Sequence, residues 1–236
     1  MRLTWVKNGV AFGIQGLLFL APPFVQAGGI SADKTRVVFY SGSKGESLGV
    51  KNTTNHSWLV QASVQDDEGE PDNTMFITPP LFRLESNGAN FLRIIHAGGN
   101  NVTERELLRY VYIKAIPSSE PIDNVASQFA VGVGMRIKMF LRPALMARPG
   151  EKTWKGIRWY NDKHTISGCN TTPYYVSFNR LTFDDSPMDL NTVPSMLPPF
   201  KCETYSGQGW VKNVHWSLID DYGGDTGWFE GRVTER

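Results

Sequence analysis

The chain has 236 residues, with 24 Lys and Arg against 23 Asp and Glu, and 41% of it is hydrophobic. The first 27 residues hold two of the basic groups and no acidic one, so the remainder carries 22 minus 23, or −1. That near balance argues against nucleic acid or an anionic membrane as the main partner.

Residues 1–27 read as a leader. Arg2 and Lys7 give a basic start, an apolar stretch covers about 10–21, and Val25-Gln26-Ala27 is a small-residue cleavage site. This is the pattern of a secretory signal peptide cut after Ala27. The apolar run is short for a membrane span of about 20 residues. No later segment is apolar enough to span, so no membrane insertion is expected after cleavage. The remaining 209 residues suit one large domain or two small ones.

From residue 28 a short loop leads to 34–40 (KTRVVFY), the first β-rich segment. Strands are expected at 47–52 and 57–65, with a polar link between them. The acidic run 66–72 (DDEGEPD) lacks the spacing of a calcium loop and reads as a hairpin tip. Residues 75–84 contain Thr78-Pro79-Pro80, which makes an interrupted or edge strand. Residues 90–95 and 108–116 are two further strands, and 118–124 is a short polar connection.

The longest alternation in the chain is 128–143 (QFAVGVGMRIKMFLRP). Phe129, Val131, Val133, Met135, Ile137, Met139 and Leu141 fall on one face of an extended strand. At ~3.3 Å per residue the run spans roughly 40 Å, about twice the usual strand. Two readings stay open: a core strand buried end to end, or a strand offering part of its face to another chain. On alternation alone the core strand is the better-supported reading.

About seven strands in this first part, with turn signals between them, fit an immunoglobulin-like sandwich. Residues 143–149 (PALMARP) break the pattern and read as a linker. A second β segment follows, with strands expected at 155–160, 174–183, 210–218 and 228–234. The domain reading is 28–143 and 144–236. Cys169 and Cys202 are the two cysteines, both in the second segment. An even count in an exported chain suggests one disulfide. The alternative, a metal site, lacks paired ligands.

Catalytic patterns are scarce. His56, His96, His164 and His215 form no metal-binding pair of motifs, and there is no G-x-S-x-G. Gly132-Val133-Gly134 starts like a dinucleotide loop, but Ile137 stands where the third glycine belongs. The acidic cluster Asp220, Asp221, Asp225 reads as a glycine-bearing turn rather than a metal site. No cofactor, no metal and no enzyme activity are expected.

Assembled in order, the residues resemble the periplasmic pilus-assembly chaperones of the chaperone–usher pathway, the PapD-like family. The resemblance runs through 33–39 (DKTRVVF), Arg105-Glu106 with Tyr110, Ile113 and Ile116-Pro117-Ser118, and 136–143 (RIKMFLRP). In the second segment it runs through 170–176 (NTTPYYV) and 221–224 (DYGG). The signature departs from the family pattern at Glu104, Leu107 and Tyr112. The short connection before the long strand is similar to the short-loop branch, which builds rod-like pili.

The resemblance implies an all-β chain of two immunoglobulin-like β-sandwich domains joined at an angle, with a cleft between them. It implies an ATP-independent chaperone that binds pilus or fimbrial subunits and delivers them to an outer-membrane usher. The mechanism would be donor-strand complementation, a form of strand addition. The donor strand would be Phe129, Val131, Val133 and Met135. The first three would be donated, and from Met135 onward the face would stay in the chain's own core. Arg36 and Lys138 would anchor the subunit's terminal carboxylate. Glu106, Arg142 and Asp221 would form an interdomain ion network that sets the cleft. Exposed edges need protection, so self-dimerisation of the unloaded protein is also expected. The other readings are a secreted structural protein (a pilus subunit or two-domain adhesin) and a secreted β-sandwich enzyme.

Overall fold

The computed structural model describes residues 28–98, 104–118, 131–162, 164–207 and 209–235. The leader at 1–27, Phe129 and most of the 118–124 connection lie outside these residues.

The first domain packs two antiparallel-rich sheets face to face. One holds β1 (Ile30–Ala32), β3 (Glu46–Asn52), β7 (Ala89–His96) and β5 (Met75–Thr78), in the order β1-β3-β7-β5. The other holds β2 (Arg36–Tyr40), β9 (Val133–Arg142), β8 (Leu107–Pro117), β4 (Trp58–Gln65) and β6 (Leu81–Leu84), in the order β2-β9-β8-β4-β6. The interrupted strand is split at Pro79-Pro80: β5 edges one sheet and β6 the other. Proline cannot donate to a ladder, so the break falls where the chain changes sheets.

Period-two alternation places one face of each strand inside. Phe39, Leu48, Val60, Leu92, Val111, Ile113 and Met139 form the core between the sheets. The 28–33 stretch, expected to be loop, instead contributes β1, which pairs with β3 from Ile30↔Asn52 to Ala32↔Val50. Three residues of mixed polarity carry too short a pattern to be read as a strand.

After 143–149 comes a single helical turn, α1 (Glu151–Trp154), which the sequence pattern did not indicate. The second domain is one curled sheet. Its strands are β10 (Ile157–Asp162), β11 (Thr165–Asn170), β12 (Val176–Phe183), β13 (Ser186–Pro187), β14 (Met196–Leu197), β15 (Cys202–Ser206), β16 (Asn213–Ile219) and β17 (Asp225–Glu235). The path runs β13-β12-β16-β17-β10-β11-β15, with β14 also on β12. The curl wraps an aromatic centre: Trp159 packs against Phe178, Phe183, Tyr205 and Trp216, with ring centroids 5.7–6.1 Å apart. Strands β11, β13, β14 and β15 add to the four expected here. Cys169 and Cys202 are directly opposed in the β11–β15 register and form a disulfide.

Candidate functional site

The two domains meet around one arginine. Arg142 ends β9 and is 1% exposed. Its Nε donates to Glu106 Oε1 at 2.7 Å, and Nη2 lies 2.5 Å from the same oxygen. Nη1 donates to the Tyr40 hydroxyl at 2.8 Å and to Asp221 Oδ2 at 2.9 Å, and Nη2 donates to Asp221 Oδ1 at 3.0 Å. The planar guanidinium suits this, because it offers donors in a fixed fork. Burial works against the Arg142 charge, but Asp221, Glu106 and Tyr40 outweigh it and raise its pKa further.

Glu106 ties the first domain to the second in two more ways. Its Oε2 accepts the Tyr175 N–H at 2.7 Å, and its own N–H donates to the Pro173 carbonyl at 2.9 Å. Burial pushes the Glu106 carboxyl upward, against the pull of Arg142 and the Tyr175 N–H. The 220–224 turn closes the joint. Asp220 Oδ1 accepts the N–H groups of Tyr222 and Gly224. Gly223 has φ +88°, and a Cβ there would stand 2.5 Å from Thr35 Oγ1. Only glycine permits both the left-handed turn and this approach to the first domain. The acidic cluster is thus a structural turn, and no metal-holding cluster occurs among the described residues.

Arg36 and Lys138 lie beside this joint. They are partners in the parallel β2–β9 register. Arg36 Nη1 donates to the Ile219 carbonyl of the second domain at 2.9 Å, and its guanidinium lies 5.6 Å from the Phe140 ring. Phe140 is on the outward face of its sheet, yet it is buried, because Tyr175 packs beside it at 5.8 Å. Among the described residues neither Arg36 nor Lys138 makes an ion pair. Burial lowers the pKa of both, and the neighbouring Arg36 lowers Lys138 further. A cleft of about 380 Å³ opens beside Arg36, lined by Lys34, Arg36, Val38, Tyr40, Glu46, Arg148, Asp221 and Tyr222.

The family model for the PapD N-terminal domain of pili and flagellar-assembly chaperones matches residues 29–147, and that for the PapD C-terminal domain of pili assembly chaperones matches 152–227. The chain belongs to the PapD family. It is a pilus-assembly chaperone of the chaperone–usher type. Chaperone protein FimC of Escherichia coli K12 is 30% identical over 198 residues, covering 83% of this chain and 80% of FimC. Chaperone protein AggD of Escherichia coli is 32% identical, over 83% of this chain and 82% of AggD. Among solved structures, the Salmonella enterica complex of SafA pilin with the SafB chaperone aligns with TM-score 0.77 and 30% identity, covering 86% of this chain and 96% of the matched one. The E. coli chaperone DraB aligns with TM-score 0.73 and 31% identity, over 87% and 97%.

Within this PapD-family chain, β9 is paired unevenly. On one side β8 pairs with it from Val133 to Leu141. On the other side β2 begins only at Lys138. The edge of β9 from 133 to 137 therefore has no strand beside it among the described residues. Val131 is 61% exposed, and Val133 and Met135 are half-buried against the first domain's core. Ile137, Met139 and Leu141 are buried in that core.

Sequence reasoning did not find the Ile219 carbonyl, Tyr40 or Tyr175 as parts of the site. A backbone acceptor has no residue-type signal. The two tyrosines act through partners far away in sequence.

Proposed function

We propose that this chaperone captures pilus subunits by strand addition along β9 and anchors their terminal carboxylate at Arg36 and Lys138. The observation that carries this is the uneven pairing of β9. Its edge at 133–137, unpaired among the described residues, ends where Arg36 and Lys138 stand side by side. A client strand along that edge with its C-terminal carboxylate at Lys138 must run parallel to β9. Five residues give it a length of roughly 16 Å.

The energetics support the reading. A carboxylate removed from water needs charged donors, and these two cations have no ion-pair partner among the described residues. Phe129, Val131 and Val133 supply alternate side chains to a client core. Fully burying one large apolar side chain contributes ~1.5–3 kcal/mol, and Met135 closes the donor face. Glu106, Arg142 and Asp221 hold the angle of the cleft and need not touch the client. The process needs neither ATP nor a catalytic group. Export to the periplasm behind the 1–27 leader, delivery to an outer-membrane usher, and self-association of the unloaded edge complete the reading. The family assignment favours it over a subunit, an adhesin or an enzyme.

The test is a pull-down from the native periplasm, with a tagged wild-type chain beside the Arg36→Ala, Lys138→Ala double mutant. A small β-rich protein that co-purifies only with wild type is the expected result. Equal recovery with a folded double mutant would overturn the anchor.

A further inference from the structure

We infer that one ordered water bridges Arg36 Nε to Ser177 Oγ across the domain joint, and that Ser177 is thereby a positioning residue for Arg36. The inference about positioning rests on the anchor reading above. The water bridge itself rests on three observations.

Arg36 is 9% exposed and its Nε is buried without a hydrogen-bond partner among the described residues. Ser177 of β12, 2% exposed, has a buried hydroxyl that also lacks one. Both residues line the same narrow crevice between the domains, about 20 Å³ in volume, together with Phe140, Ile219, Asp220 and Asp221. Buried polar groups in native proteins are almost always satisfied, by protein or by ordered water. A water needs about 10–15 Å³ and two to four polar partners. The crevice offers that room. The Arg36 Nε–H donates to the water, and the water donates to Ser177 Oγ. Asp220 and Asp221 line the same crevice, and either would offer an acceptor for the water's second hydrogen.

The consequence lies in how Arg36 is held. Nη1 is fixed by the Ile219 carbonyl, and Nε would be fixed through the water by Ser177. Both partners belong to the second domain. Nη2 bonds to no described residue, which leaves it as the donor for a client carboxylate. Ser177 would thus aim the guanidinium without touching the client.

The experiment uses the mature chain, isotope-labelled for NMR. The Arg36 Nε–H signal is identified by its loss in Arg36→Ala. Acetate is the carboxylate probe and acetamide the neutral control. Wild type should show a water cross-peak at the Arg36 Nε–H. Ser177→Val should lose that cross-peak and bind acetate about three- to ten-fold more weakly, the worth of one modest hydrogen bond. Ser177→Thr, which keeps the hydroxyl, should restore both. A wild-type Nε–H with no water contact would overturn the bridge. Acetate binding unchanged in Ser177→Val but weakened in Arg36→Ala would overturn the positioning role alone. Acetate binding unchanged in Arg36→Ala would overturn the anchor reading, and the positioning role with it.

Discussion

Arg36 and Lys138 are neighbours at the first step of the parallel β2–β9 pairing, two cations side by side that form no ion pair among the described residues. Burial and the adjacent Arg36 hold the Lys138 ammonium below its ordinary value of 10.5. A client carboxylate would favour the charged form and raise that pKa again. The complex then binds more protons than the free chaperone in the window between the lowered value and the restored one. Client affinity should therefore be flat below the lowered Lys138 pKa and fall as pH rises through it. The limiting slope for one proton is about tenfold per pH unit. Lys138→Arg, whose guanidinium does not titrate there, should abolish the fall. Isothermal titration from pH 7 upward checks this, and an equal fall in Lys138→Arg would assign the titration elsewhere.

Val131 and Val133 separate binding from folding. Val131 is mostly exposed and precedes β9, whereas Val133 packs half-buried on the first domain's own core. Val131→Ser should change stability by no more than about 0.5 kcal/mol. It should still weaken client capture by about ten- to a hundred-fold, the worth of one buried apolar side chain. Val133→Ser should lower both. Thermal melts alongside client titration distinguish the two, and a Val131→Ser chain that binds normally would remove Val131 from the donated set.

Much of the first domain was legible because its strands alternate cleanly. β4 buries every second residue and β9 alternates between a more and a less exposed face up to Met139, and period two is the most direct signal a strand can leave. β1, β11 and β15 were not legible. Their sequences ISA, TISGCN and CETYS are short or rich in Ser, Thr and Gly, and pairing with longer neighbours makes them strands. In the site, the family resemblance pointed to Arg142, but not to its burial. Its acceptors come from positions 36, 79 and 102 residues away and from both domains. Ser177 and Phe140 carried no signal, because their roles follow from the packing of one domain on the other.

Arg142→Ala should be the most damaging single change at the joint. It leaves Glu106 buried and Asp221 partly buried, each without its cation. Removing one partner of a buried pair costs about 3–5 kcal/mol. The loss should fall on the contact between domains more than on either sandwich. Small-angle scattering should show a larger radius of gyration, with both domains still folded by circular dichroism. An unchanged radius would mean that the packing around Gly223 and Phe140 holds the angle without the ions.

The disulfide should act locally. Cys169 and Cys202 close a loop of 33 residues and staple β15, the edge strand of the second domain's sheet, to β11. On the chain-entropy model such a loop contributes about 3–4 kcal/mol by restricting the unfolded chain. The Cys169→Ser, Cys202→Ser double mutant should therefore lower the melting temperature of the second domain and leave the first domain's core as it is. Hydrogen exchange resolves the two: amides of β11 and β15 should lose protection, while those of β3 and β7 should not. Equal loss in both domains would show that they unfold as one cooperative unit, with the Arg142 network strong enough to couple them.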